Sequence, residues 1–215
     1  MSRFIVLLGG DLVRTPRLDA LLAGARIVAA DAGIRHAETL GVVPELWLGD
    51  FDSVPDRLPP HLRDVPRETF PVEKDQTDGE LAVSAALQRG ATELILAGAF
   101  GGPRSDHAFL HMTLAMRLAD DGTPTLLTSG AQEGTPLLAG RTTRFDYTDG
   151  TVFSVLAFSA LSNLSVRGAK WPLEGVEVPF GTSLTLSNTV RGTLQIGLNQ
   201  GRALLLAHPF PQAGF

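Results

Sequence analysis

The chain has no cysteine among its 215 residues. Disulfides, thiolate metal centres and cysteine nucleophiles are therefore excluded. Lysine is nearly as scarce, with Lys74 and Lys170 set against sixteen arginines, and no basic stripe of the kind that tracks nucleic acid is present. No apolar run reaches the length of a membrane span. Residues 1–10 are apolar but lack the basic start and small-residue cleavage site of a signal peptide, so they read as a first strand of a soluble, cytoplasmic protein. Also missing are a Walker lysine motif, a GxGxxG fingerprint and a GxSxG elbow. What remains is ordinary globular composition, 44% hydrophobic and 19% charged. That is enough to bury one large core or two modest ones.

Two textures divide the chain. Short apolar runs at residues 4–8, 27–30, 46–48, 94–97 and 125–127 alternate with helical stretches near residues 18–23, 34–40, 78–89 and 106–119. Such alternation predicts a parallel sheet covered on both faces, with ligands taken up outside the carboxyl ends of its strands. After about Thr135 the segments 152–158, 161–166, 183–187, 193–198 and 203–207 are β-rich and separated by Gly, Asn or Pro. No helix is expected there, and an antiparallel sandwich or small barrel is. The charge divides at the same place. Residues 1–135 hold 12 basic against 19 acidic side chains, and residues 136–215 hold 6 against 4. The expected organisation is an α/β domain over 1–135 followed by an all-β domain over 136–215.

Three clusters in the first part carry chemistry. In Trp-Leu-Gly-Asp-Phe-Asp-Ser, residues 47–53, Asp50 and Asp52 are separated by one residue after an apolar strand. In extended backbone both carboxylates face the same side, an arrangement that suits a hard cation such as Mg²⁺. A solvated turn accounts for the same residues. Lys74-Asp75-Gln76-Thr77-Asp78-Gly79-Glu80 has Thr77 and Glu80 at capping-box spacing, with Asp78 in the first helical turn. The cap leaves Lys74 and Asp75 unexplained, and a metal–phosphate site stays open. Gly98-Ala-Phe-Gly-Gly-Pro-Arg-Ser-Asp-His107 leaves a strand through glycines and opens a helix with Ser105 as expected N-cap. It reads as an anion-binding loop or as a plain βα connection. His107 and His111, four residues apart, have no third ligand for zinc and read as helix-surface histidines. Asp31 and the pair Gly9-Gly10 close two more strands expected at the same sheet edge. In the β part, Trp171 beside Lys170 and Pro172 reads as a stacking platform or an apolar anchor, and Ser187-Asn188 as a strand end before a turn.

With these residues in hand, the chain resembles the thiamine pyrophosphokinase family. The matching stretches are Ala-Asp-Ala-Gly at 30–33, Gly-Asp-Phe-Asp-Ser at 49–53, Lys-Asp-Gln-Thr-Asp-Gly-Glu-Leu at 74–81, Arg-Ser-Asp-His at 104–107, Gly-Ala-Lys-Trp-Pro-Leu at 168–173 and Ser-Asn-Thr at 187–189. The resemblance implies a nucleotide-binding α/β domain followed by a β-sandwich. It further implies a homodimer with sites between the α/β part of one subunit and the β part of the other. The implied reaction is ATP + thiamine → AMP + thiamine diphosphate, with Mg²⁺. By the same resemblance Asp50, Asp52 and Asp78 hold the metal, with Asp75 as ligand or support. Lys74, Thr77, Gly101, Gly102, Arg104 and His107 meet the phosphates, and Asp31 and Asp106 orient ATP. Trp171, Ser187 and Asn188 form the thiamine pocket. Departures from the family pattern are Ala32 in place of a glycine, Arg35 near an asparagine position and Pro103 inserted before Arg104. Rival readings are a pyrophosphokinase for another alcohol such as a hydroxymethylpterin, against which Trp171 and the Ser-Asn pair argue, and a non-catalytic thiamine or nucleotide sensor, against which the full acidic set argues.

Overall fold

A computed structural model describes residues 2–51, 58–71 and 75–210. The chain forms two compact units, Met1–His111 with Thr123–Gly130, and Met112–Gly122 with Ala131–Phe215. In chain order the first ten elements are β1 (Arg3–Leu7), α1 (Pro16–Leu22), β2 (Arg26–Ala30), α2 (Arg35–Leu40), β3 (Leu46–Gly49), β4 (Arg67–Thr69), α3 (Asp78–Gln88), β5 (Glu93–Ala97), α4 (Ser105–Asp120) and β6 (Thr125–Thr128). The strands among them pair in parallel in the order β6-β5-β1-β2-β3-β4.

Local chemistry explains these elements. Phe4–Leu7, Ile27–Ala30 and Leu94–Ala97 are apolar at every position and wholly buried, the pattern of strands covered on both faces. On one side Ile5, Leu7, Ala29, Trp47 and Ile95 cluster with Leu18, Ile34, Ala37 and Leu40. The helix α3 packs on β1, β2 and β3. Thr15 caps α1 by accepting from the Leu18 N–H at 3.2 Å, and Pro16 occupies the first helical position. The helix α2 stops at Gly41, whose φ of 70° terminates it.

The strand order reverses at β1, with β2 to β4 on one side and β5 and β6 on the other. Ligands of open α/β sheets gather at such a reversal. Here the chains leaving β1 and β5 stay bonded past the strand ends: Leu8 N–H donates to Ala97 O at 2.7 Å, Gly10 to Gly98 O at 2.9 Å and Asp11 to Phe100 O at 2.8 Å. Only glycine permits this approach. A Cβ on Gly10 would collide with the carbonyl oxygens of Gly98 and Phe100, and one on Gly98 with that of Leu8.

The second unit continues with β7 (Glu133–Leu137), β8 (Arg141–Phe145), β9 (Val152–Ala157), β10 (Leu161–Ala169), β11 (Leu173–Val178), β12 (Asn188–Leu198) and β13 (Ala203–His208). All recorded pairings among them are antiparallel, running β7-β13-β9-β12 and β11-β10-β12-β8. The long strand β12 belongs to both sets. Its start at Asn188 and Thr189 pairs with β9, while its later residues pair with β10 and β8. One apolar core collects Phe153, Val155, Leu164, Val166, Ile196 and Leu205 from these strands. The described residues after Asp120 contain no helix. Among the described residues no helix is long and apolar enough to cross a membrane.

The structure corrects several expectations. Residues 183–187 are not a strand. Leu186 N–H closes a turn on Ser183 O at 3.1 Å, and Ser187 takes a φ of 59°. The loop is tied to β9 by Val155 N–H to Thr185 O at 2.9 Å and Thr185 Oγ1 to Val155 O at 2.7 Å. Asn188 consequently opens β12 rather than preceding a turn. Gly134 and Pro136 masked β7 in the sequence, and the exposed Arg and Thr side chains of β8 diluted its apolar pattern.

Gly90 and Gly98 have similar positive φ values, 88° and 79°, but nothing lies within 4 Å of a Cβ at Gly90. Gly90→Ala is expected to cost about 1 kcal/mol of backbone strain, and Gly98→Ala about 2–4 kcal/mol once the collision with Leu8 is added. Urea unfolding of the two variants measures the difference. Equal losses would show that the β1–β5 approach is not tight.

Candidate active site

A cavity of about 390 Å³ opens at the strand-order reversal of the first unit. Gly9 and Gly10 after β1 form one wall, and Asp31 and Ala32 after β2 a second. The start of α3 at Thr77 and Asp78, and the Gly101–Arg104 loop after β5, complete the rim.

Asp31 is held by its neighbours. It takes a φ of 40°, and its carbonyl accepts the Trp47 indole N–H at 2.9 Å. A Cβ on Gly49 would lie 3.2 Å from Asp31 Cα, so the end of β3 presses against the Asp31 turn. Ala32, where the family pattern has glycine, has no positive φ and carries no strain. Gly33 is the residue without room for a side chain, because a Cβ there would collide with Leu7 O.

Asp50 follows Gly49, and Phe51 after it has a φ of 61°. The extended backbone expected across this motif therefore fails at Phe51. Its ring meets the Trp47 ring edge-on at 4.9 Å, and the Arg67 guanidinium lies 4.7 Å from the Trp47 centroid and 5.7 Å from that of Phe51. Aromatic packing of this kind offsets the left-handed backbone. The residue between the two aspartates is thus an anchor that spacing alone did not show. Asp52 and Lys74 lie outside the described residues.

At α3 the capping box is present in full. Glu80 N–H donates to Thr77 Oγ1 at 3.3 Å, and Thr77 N–H and hydroxyl each donate to Glu80 Oε2 at 3.1 Å. Thr77 lines the cavity, yet its hydroxyl serves the cap. Asp78, the first helical residue, also lines the cavity, while Asp50, Asp75 and Asp106 do not. α4 begins at Ser105, which leaves Arg104 rather than Ser105 as its cap residue. Ala108 N–H donates to Arg104 O at 3.2 Å. The Arg104 guanidinium bridges both oxygens of Asp106 at 3.0 and 2.7 Å. That pairing holds the Asp106 carboxyl well below the usual carboxylate range.

His111 is not a surface histidine. It is buried with Leu114, Ala115 and Leu118 of α4, and its Nδ1 donates to Ala99 O at 3.1 Å. Its Nε2 lies 3.5 Å from a Cβ built on Gly79, and its side chain lines the cavity beside His107. The 111/114/115/118 spacing was the sequence signal for this burial. His36 is also buried, with Nε2 2.9 Å from Gly10 O. Burial, the largest effect at each, holds both imidazoles below the ordinary histidine value.

The second unit has its own pocket of about 440 Å³, lined by Phe153, Val166, Trp171, Leu184, Ser187 and Asn188 among others. Asn188 is buried and fully engaged: its Oδ1 accepts from Trp171 N–H at 3.1 Å and from Thr189 N–H at 2.8 Å, and its Nδ2 donates to Trp171 O at 2.7 Å. It therefore fixes the Trp171 loop. The indole is 53% exposed, and Lys170 Nζ stands 4.3 Å from its ring centroid.

Comparison with known proteins decides the family. Residues 19–127 match the thiamin pyrophosphokinase catalytic domain, and residues 142–202 match the thiamin pyrophosphokinase vitamin B1 binding domain. The chain belongs to the thiamine pyrophosphokinase family. A thiamine pyrophosphokinase of Bacillus subtilis is 25% identical over 172 residues, covering 77% of this chain and 80% of that protein. The crystal structure of the Bacillus subtilis thiamine pyrophosphokinase covers 96% of this chain and 99% of its own with a TM-score of 0.81 at 21% identity. That of Geobacillus thermodenitrificans covers 100% and 99% with a TM-score of 0.76 at 25% identity. Thiamine pyrophosphokinase activity makes the chain an ATP-dependent diphosphotransferase whose substrates are ATP and thiamine.

The buried histidines give this protein a pH-dependent stability. Well above about 6.5, the unperturbed histidine value, both imidazoles are neutral in folded and unfolded chains alike. As pH falls below that, the unfolded chain binds protons first, and stability is lost until the lowered folded values are passed. The urea midpoint is expected to drop between pH 7 and 5. His111→Asn, which retains a donor for Ala99 O, flattens part of that drop. An unchanged slope in the variant would exclude His111 as a source.

Proposed function

We propose that the first-unit cavity binds ATP with Mg²⁺, that the second-unit pocket binds thiamine, and that the thiamine hydroxyl attacks the β-phosphorus with AMP as leaving group. The observation that carries this reading is the cavity at the strand-order reversal, where glycine-rich edges meet Asp78 at a helix start. Open glycine backbone and helix N-terminal N–H groups favour phosphate.

The donor set fits magnesium. Asp50, Asp52 and Asp78, with Asp75 as support, offer hard carboxylate oxygens, and Mg²⁺ is usually bound through one or two carboxylates and substrate phosphates. Among the described residues no three carboxylates or imidazoles gather into a metal cage, and Asp52 lies outside those residues. Held there, Mg²⁺ would neutralise phosphate charge and make the attacking hydroxyl more acidic. Lys74, Arg104 and the backbone of Gly101 and Gly102 hold phosphate oxygens. Thr77, which caps α3, shapes that wall, while Asp31, Asp106 and His107 orient the nucleotide. Arg104 lines the cavity with its guanidinium on Asp106, and a phosphate would have to take the place of that carboxylate.

In the thiamine pocket the indole of Trp171 stacks on the flat, cationic ligand opposite its Lys170 face, with Ser187 alongside. Asn188 acts by holding that loop. The division into a nucleotide part, 1–135, and a thiamine part with sandwich architecture, 136–215, accompanies this assignment, supported by the strand shared between two antiparallel sets. The exposed Trp171, Leu184 and Leu186 around the pocket support a homodimer in which a second subunit covers each thiamine site.

Incubation with Mg²⁺, ATP and thiamine is expected to release AMP and thiamine diphosphate. ADP as product, or turnover of a hydroxymethylpterin instead of thiamine, overturns the assignment. Asp78→Asn should lower kcat/KM by about a hundredfold or more without moving the unfolding midpoint. Asn188→Ala should raise KM for thiamine about tenfold and leave KM for ATP alone. A shift in the ATP constant instead would remove Asn188 from the thiamine loop.

A further inference from the structure

We propose that Arg35 is an affinity-determining residue for the nucleotide, holding the Gly9-Gly10 edge with one nitrogen and presenting the rest of its guanidinium to a phosphate. The proposal rests on the ATP reading of the first-unit cavity. Arg35 is the first residue of α2 and lines that cavity. One guanidinium nitrogen, Nη2, donates to Gly9 O and to Gly10 O, the second at 3.1 Å.

These carbonyls belong to the interlocked edge. Gly10 N–H is bonded to Gly98 O at 2.9 Å, and His36 Nε2 also meets Gly10 O at 2.9 Å. A Cβ on Gly102 would lie 3.3 Å from Gly10 Cα. The guanidinium is therefore fixed on the same wall as the Gly101-Gly102 turn. A guanidinium carries five N–H groups in a rigid fork and stays charged. Nη2 is used by the two carbonyls, which leaves Nε and Nη1 as donors on an exposed side chain at the cavity rim.

Two consequences distinguish this role from simple support of the loop. A residue that only clamps Gly9 and Gly10 affects every ligand of the cavity alike. A phosphate donor affects ATP far more than adenosine. Lysine keeps the charge, though it loses the fork, and restores most of the phosphate interaction.

The test measures equilibrium binding of ATP with Mg²⁺ and of adenosine, without thiamine, to the full chain and to Arg35→Gln and Arg35→Lys. Unfolding midpoints are taken in parallel. Arg35→Gln is expected to weaken ATP at least about tenfold, the loss of a charge-assisted hydrogen bond. Adenosine affinity falls far less than ATP affinity, and Arg35→Lys returns ATP binding to within about threefold of the parent. In turnover the same loss appears in KM for ATP, with kcat and KM for thiamine retained. Unchanged ATP affinity in Arg35→Gln, equal losses for ATP and adenosine, or an Arg35→Lys as weak as Arg35→Gln each overturn the proposal. If Arg35→Gln fails to fold, Arg35→Lys decides by the same threefold criterion. Because these titrations do not depend on AMP formation, failure of the diphosphotransfer reading is seen separately, in the product assay.

Discussion

The close backbone approach of Gly10 to Gly98 and Phe100 is the constraint on which the first unit's site depends. It extends the pairing of β1 and β5 beyond their ends and brings Gly102 against Gly10. The resulting floor is glycine backbone held from above by Arg35 and His36, at the point where the strand order reverses. A polar ligand can then lie close to the backbone there, with its charge met by side chains from the surrounding loops. Any Cβ at Gly10 or Gly98 would separate these chains. The apolar stretches Phe4–Leu7 and Leu94–Ala97 beneath, buried throughout, support so tight a contact.

Around that floor the sequence sets groups whose charges oppose and position one another. Asp31 is pinned by the Trp47 indole, and the turn after β3 is held by Phe51 packing on the same indole. Trp47, fully buried, therefore links two acidic loops. Asp78 enters at the start of a helix whose cap consumes Thr77 and Glu80. In the second unit Asn188 does comparable work for Trp171, with two hydrogen bonds to its backbone that fix the loop while the indole stays exposed.

Much of this was legible in the chain. The alternation of apolar runs and helical stretches marked the parallel sheet, and the Thr77/Glu80 spacing marked a capping box that the structure contains in full. Asp31, Asp78, Gly101, Gly102, Arg104 and His107, all read from loop motifs, line one cavity. Other readings failed where local pattern and tertiary contact diverge. The Asp50-Phe51-Asp52 spacing implied extended backbone, but Phe51 adopts φ 61° because its ring has Trp47 to pack on. His111 read as a helix-surface histidine and proves to be buried, bonded to Ala99 O. Residues 183–187 have strand composition but turn back on themselves and leave Asn188 to begin the next strand.

By itself the sequence determined the family, the order of an α/β part before a β part, and which residue types carry chemistry, because motif, periodicity and composition are local properties. Only the tertiary structure decided which of those residues share a cavity, that Asn188 spends its amide on Trp171, and that Arg35 reaches the carbonyls of Gly9 and Gly10 from across the sheet edge. Those facts depend on contacts between residues distant in the chain. Hydrogen-bond satisfaction and steric room, unlike hydrophobic period, exist only once the strands are paired.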